Sequence, residues 1–149
     1  MTKEILAHFQ TSTSEFLEVA ESIPSEKLHQ VAVPGEWPAS YVIHHLADSD
    51  AHFLVRFLNI LSVDGPAIIP FDEASFPSAL CYPGRSVGVS LTAIASSCAH
   101  AVDILSQLDE VSWNRTGFHA ERGELSLSAL LQLTTNHRLD HIDQLRKAI

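Results

Sequence analysis

The chain has 149 residues, 46% apolar and 18% charged, which is enough apolar material for one hydrophobic core and too much for a disordered segment. A formal charge of −9 with neutral histidines, and the lack of any lysine or arginine cluster, argue against a nucleic-acid binder or an anionic-membrane binder. Cys81 and Cys98 form neither a disulfide framework nor a zinc-finger spacing, the N-terminus has no apolar signal core, and no apolar run approaches the length of a membrane span. The expectation is one soluble, cytoplasmic domain over residues 1–149.

Four amphipathic segments, separated by loops rich in proline and glycine, make up the pattern. From about residue 3 to 22, Ile5, Leu6, Phe9, Phe16, Leu17 and Ala20 recur at helical spacing, with Glu4, Glu15, Glu18 and Glu21 opposite, and Pro24 ends the run. Trp37-Pro38 opens a second helix, proline being tolerated in the first turn, and it runs to about Ser62. Val42, Leu46, Phe53, Phe57 and Ile60 share its apolar face. At about 100° per residue His45, Ser49, His52 and Arg56 line the edge of that face, while His44 turns with Asp48 and Ala51 toward solvent.

Residues 63–88 lack periodicity, and Pro66, Pro70, Pro77 and Pro83 forbid a long helix. A connection of this length reads as a lid or binding loop, with Phe71-Asp72-Glu73 supplying acidic groups near a site mouth. The third helix carries Leu91, Ile94, Ala95, Cys98, Val102, Leu105 and Leu108 in step, and His100 faces solvent. Between residues 113 and 123 turn residues suggest a short hairpin, where His119 reads as a surface residue. The fourth helix runs from about Ser126 to the end, with Leu127, Leu130, Leu131, Thr134, His141, Leu145 and Ala148 on one face. His137 lies at the edge of that face and Arg138 within it, so that each buried polar group needs a partner.

Such stripes predict an all-α four-helix bundle with a long loop between the second and third helices. His137 and His141 are one turn apart, about 6 Å along the axis, so both imidazoles leave one face of the last helix. With His45 from the second helix they form a three-imidazole set that leaves a fourth position exchangeable, as in catalytic zinc sites. Imidazole also suits nickel, iron and copper, so ligand type does not choose the metal. Asp48 and Asp140 are candidates to accept the second ring proton of a ligating histidine. His52 is a candidate to orient a ligand or move protons, and Arg56 and Arg138 to hold an anionic substrate group or pair with internal carboxylates such as Asp48.

Trp37, the block Val42-Ile43-His44-His45-Leu46-Ala47-Asp48-Ser49, Arg56-Phe57, Pro70-Phe71-Asp72-Glu73 and His137-x-x-x-His141 with Gln144-Leu145 together resemble the DinB-like superfamily, in particular its YfiT-like branch. The likeness runs from Leu28 onward, in order. It implies up-down-down-up connectivity, a divalent metal such as zinc or nickel held by residues matching His45, His137 and His141, frequent homodimers, and metal-dependent hydrolase or thiol S-transferase activity with a low-molecular-weight thiol and a small-molecule substrate. Asp50 stands where near relatives have histidine, Asp143 where many have glycine, and the stretch from Ser75 to Gly88 has no match. The activity expected is S-transfer to small electrophiles. The alternatives are hydrolysis, or a bundle that binds a metal or small molecule without catalysis.

Overall fold

Local hydroxyl and carboxylate caps set where several helices begin. The computed structural model describes residues 1–149, from α1 (Thr2–Glu21) and α2 (Ala39–Ser62), through β1 (Ala67–Ile68) and the single turn α3 (Phe76–Ala79), to α4 (Val87–Leu105). The turn α5 (Glu110–Trp113), the hairpin β2 (Thr116–His119) and β3 (Gly123–Ser126), and α6 (Leu127–Lys147) complete it. Ser86 accepts the Val89 amide at the start of α4, Asp109 that of Ser112 before α5, and Ser126 that of Ala129 before α6, each satisfying an amide that has no partner within its helix. Pro38 is the cap of α2 rather than part of its first turn.

Residue pairs fix the helix directions. Ser12 meets Arg138 and Glu15 meets Arg146, so α1 and α6 are parallel. His44 near the start of α2 bonds Ser90 near the start of α4, so these two are parallel as well. His45 packs on His141 and Phe53 on His137, which makes α2 and α6 antiparallel. The result is an up-down-down-up four-helix bundle in which α1 touches α6 and α4 and lies diagonally from α2. Because α2 and α4 are parallel, the chain must travel back along the bundle between them, and this is the physical reason for the long connection.

That connection is more ordered than its lack of periodicity suggests. It holds β1, α3 and two tight 3-10 turns, Glu73–Ser75 and Tyr82–Gly84. β1 joins the expected hairpin as a parallel third strand, in the order β1-β2-β3. Gly117 permits the approach, because a Cβ there would meet the Pro66 carbonyl oxygen and the Ile68 side chain, both at 3.0 Å. Arg115 ties the hairpin to the end of α2 by donating to the carbonyls of Ile60 (2.7 Å) and Val63 (3.0 Å), where a helix C-terminus leaves carbonyls free and favours a cation.

Several expectations change. The third helix ends at Leu105, three residues before Leu108, and Ala95 on its supposed inner stripe is exposed. At 19 residues and mean hydropathy 1.4, α4 is by length and composition capable of spanning a membrane, contrary to the sequence reading; here it is a bundle helix that buries Ile94, Cys98, Ala101 and Leu105. His44 is fully buried rather than solvated, because α4 and the 3-10 turn at Tyr82 cover that side of α2, and its Nδ1 lies 2.8 Å from Ser90 Oγ. His119 is buried too, since its place in a strand brings its ring Nδ1 under the amides of Glu121 and Arg122. On α6, Leu127, Leu130, Leu131, Thr134, Thr135, Arg138, Ile142 and Leu145 are buried, and His141 stands at the edge with His137.

Two apolar clusters fill the bundle. One, toward the hairpin, contains Phe9, Phe53, Phe57, Ile60, Leu105 and Leu130; the other, toward the start of α2, contains Phe16, Val42, Ile43, Leu46, Ile94 and Leu145. Between them lies a polar layer in which Arg138, 1% exposed, makes a two-pronged bond to Asp50 at 2.8 and 2.9 Å. The guanidinium also faces the Phe9 ring at 4.6 Å. Burial pushes the Asp50 carboxyl above its ordinary value, and the guanidinium opposes the shift. Replacing Asp50 by Ala leaves Arg138 buried without a counter-charge and is expected to destabilise the protein by about 3–5 kcal/mol. Urea unfolding of Asp50→Ala measures it, and a loss below about 1 kcal/mol would show that the pair is dispensable.

Candidate metal centre

One turn of α6 and the second turn of α2 supply three imidazoles whose Nε2 atoms converge. His137 Nε2 lies 3.3 Å from His45 Nε2 and 3.0 Å from His141 Nε2, and the three ligand atoms all fall within 4.8 Å of one another. Nitrogens about 2.0–2.1 Å from a tetrahedral zinc ion stand about 3.3 Å apart, so these spacings are edges of a coordination polyhedron. Gln144 Oε1 sits 2.7 Å from His141 Nδ1; accepting there places the proton on Nδ1 and leaves the Nε2 lone pair facing the centre.

Burial sets the charge state of the set. Desolvation, followed by the nearby His141, lowers the His45 pKa from 6.5 to about 4, and desolvation with His141 and His45 lowers His137 to about 3. Both rings are therefore neutral at pH 7, the ligating form. The buried Nδ1 atoms of His45 and His137 have no hydrogen-bond partner, and the Nε2 atoms converge at 3.0–3.3 Å, a spacing that suits a cation between them. The donor set of His45, His137 and His141 thus fits a divalent metal.

The remaining sequence candidates fall in different places. Asp48 is not beside a ligating ring; it bonds Arg85 at 2.6 Å on the flank of α2 that faces α4. Asp140 is exposed, and the outer partner of His141 is Gln144, one turn further along the same helix face. His52 is exposed and stacks on Phe71 at 4.5 Å and Phe76 at 5.8 Å, bracing the connection against α2. Arg56 donates to the Ile69 carbonyl at 2.6 Å and lies over the rings of Phe53 and Phe71. Arg138 is bonded to Asp50 and is closed to any substrate. Sequence reasoning missed the aromatic wall formed by Trp37 and Phe76, at 5.4 and 6.3 Å from the His45 ring, because only the folded connection brings Phe76 there.

Two clefts flank the centre. One, about 380 Å³, is bordered by His141, Trp37, Gln144, Glu36 and Lys147. The other, about 440 Å³, is bordered by His137, Phe53, Arg56, Phe71, Glu73 and His119.

Fold and site together define a helical-bundle protein with a three-histidine centre suited to a divalent cation. The DinB superfamily model matches residues 8–145, and the chain belongs to that superfamily. It is 29% identical over 126 residues to a protein of Oceanobacillus iheyensis, covering 83% of this chain and 73% of the relative. A Bacillus cereus protein is 28% identical over 139 residues, 91% of this chain and 80% of the relative. Both are named for an inferred metal-dependent hydrolase activity. Among solved structures, YfiT from Bacillus subtilis, described as having an unusual four-helix bundle topology, superposes with a TM-score of 0.88 at 22% identity over 99% of this chain and 85% of its own. A mycothiol-dependent maleylpyruvate isomerase superposes with a TM-score of 0.80 at 14% identity, over 97% of this chain and 60% of that one. The fold is that of the YfiT-like branch.

Protein purified without a histidine tag is expected to bind about one divalent ion per chain, and His45→Ala and His141→Ala to bind none under the same conditions. Elemental analysis decides, and equal metal in all three would refute the centre. In the metal-free protein, the unfolded chain takes up protons near pH 6.5 that folded His45 and His137 accept only near pH 4 and pH 3. Stability should therefore fall as the pH drops below about 6.5, by at most about 1.4 kcal/mol per unit for each ring. Urea midpoints at pH 7 and pH 5 should differ less in His45→Gln than in the unaltered chain.

Proposed function

We propose that this protein is a metal-dependent enzyme that joins a small thiol to an electrophile at the centre formed by His45, His137 and His141. The observation that carries this reading is the seat of the centre between two clefts, one bordered by His141 and the other by His137. Two reactants, a thiol and its acceptor, then approach the centre through separate clefts, and holding both in place converts a bimolecular encounter into a local one. A divalent cation in the site supplies Lewis acidity, which makes a thiol or water nucleophilic at neutral pH.

The chain's own residues supply positioning. Trp37 and Phe76 shield the His45 ring from bulk water. Gln144 holds the His141 ring in its ligating tautomer. Arg56, anchored on the Ile69 carbonyl and packed on Phe53 and Phe71, presents a guanidinium to the cleft beside His137, where it can hold an anionic group of the acceptor.

Hydrolysis is the second reading, and the names of the two relatives favour it. It needs only one occupied cleft, with water in place of the thiol. The mycothiol dependence of the isomerase that shares the fold supports the thiol reading. Zinc- and nickel-loaded protein should be incubated with bacillithiol, mycothiol, glutathione or coenzyme A and an electrophilic acceptor, following free thiol and product. Metal-dependent thiol consumption is expected, with a loss in His141→Ala larger than the 10–100-fold typical of outer-partner changes. Acceptor cleavage at the same rate without any thiol would replace transfer by hydrolysis.

A further inference from the structure

Glu73 belongs to the 3-10 turn Glu73–Ser75 of the connection between α2 and α4, far in sequence from the imidazoles of α6. Its carboxylate Oε2 nevertheless lies 3.5 Å from His45 Nε2, a spacing close to the 3.0 and 3.3 Å edges between the imidazole nitrogens themselves. We infer that Glu73 is a fourth, exchangeable ligand arm of the centre: its carboxylate closes the open side of the three-histidine set and gives way when a nucleophile enters. This assignment rests on the metal reading above and adds a residue to it.

Three features carry the inference. The first is the donor chemistry. An anionic oxygen 3.5 Å from the His45 nitrogen, at the rim of three converging imidazoles, gains strongly from a cation held among them. Carboxylate oxygen beside imidazole nitrogen is also an ordinary donor combination for zinc and its neighbours in the first transition row.

The second is a fixed base under a free arm. Asp72 Oδ1 accepts the Ala74 amide at 3.2 Å, and the Asp72 carbonyl accepts the Ser75 hydroxyl at 2.8 Å, so the turn is pinned on both sides of Glu73. Phe71 and Phe76 stack at 5.6 Å and both pack on His52, which holds the turn against α2. The Glu73 side chain itself is 57% exposed, and its carboxylate lies 3.5 Å from the neutral His45 ring. A side-chain rotation is therefore enough to carry the carboxylate toward the centre or away from it into the adjoining cleft, which Glu73 also lines.

The third is charge. With three neutral imidazoles, a divalent cation and one carboxylate carry a net charge of +1, and replacing the carboxylate by one anionic nucleophile leaves that total unchanged. The exchange thus avoids the burial of an extra charge beside the apolar walls of Phe53, Phe76 and Trp37.

The test uses the full chain without a histidine tag, as the unaltered protein and as Glu73→Ala, Glu73→Gln and His45→Ala. Cobalt(II) is titrated against a competing chelator, the visible cobalt absorption is recorded, and 2-mercaptoethanol is then added to the cobalt-loaded proteins as a probe thiol. Both Glu73 variants should hold cobalt about 10–100-fold more weakly and show an altered cobalt spectrum, while the probe thiol binds Glu73→Ala more tightly than the unaltered protein because no carboxylate must leave. A side chain that merely steadied the turn would not tighten thiol binding. Cobalt affinity and spectrum unchanged in both variants would overturn the ligand assignment and leave the three-histidine centre standing. Weaker cobalt binding without tighter thiol binding would overturn the exchange. Cobalt binding equally in His45→Ala, or absent from the unaltered protein, would overturn the centre itself and Glu73's role with it.

Discussion

A single buried ion pair sets the register on which the rest of this molecule depends. Arg138 of α6 and Asp50 of α2 meet by two hydrogen bonds between the two apolar clusters, with almost no solvent contact. A buried guanidinium displaced from its carboxylate by a shift of either helix is left uncompensated at a cost of several kcal/mol. His137 is the immediate neighbour of Arg138, and His45 lies five residues before Asp50. Pinning one pair therefore determines where the imidazoles of the two helices stand relative to each other. The convergence of the ring nitrogens at 3.0–3.3 Å is a consequence of that pin as much as of the histidines themselves.

The parallel placement of α2 and α4 has a similar reach. It obliges the chain to cross the length of the bundle between them, and the crossing segment becomes functional surface. Its strand β1 seats the hairpin, its aromatic residues Phe71 and Phe76 pack on His52, and its Trp37-facing residue Tyr82 covers His44. A second polar cluster, in which Arg85 bonds Asp48 and approaches Ser90, locks the far end of the same segment to α2 and α4. The segment is thus anchored at both ends of the site it walls, and Glu73 hangs from it as the freest of the groups around the centre.

The placement of charge follows the same division. Neutral, desolvated imidazoles face the centre. Arg56 lines the cleft with Glu73 and Asp72 nearby, so that cleft carries both signs. The one arginine in the middle of the bundle is already paired and unavailable for substrate. A polar layer between two apolar ones lets the protein keep a titratable site at mid-bundle without opening the core at either end.

The helical content and the burial of His45 were legible because both depend only on a period near 3.6 residues and on which positions are apolar. The same period puts His137 and His141 on one face of the last helix. Three matters lay outside its reach. Periodicity assumes that the face opposite the core meets water, and so it sent His44 to solvent, where α4 and Tyr82 in fact bury it. It offered Asp48 as a partner for the histidines and for Arg138, which in fact bonds Asp50, because pairing between helices depends on their relative height, which no single helix encodes. It also described the connection as irregular, because strand pairing, tight turns and aromatic stacking join residues distant in sequence. What the sequence determined by itself was each helix and the face it turns inward, since those follow from local geometry. The tertiary structure alone decided which inward residues meet, because that requires the heights and directions of whole helices, set here by one ion pair and one long crossing.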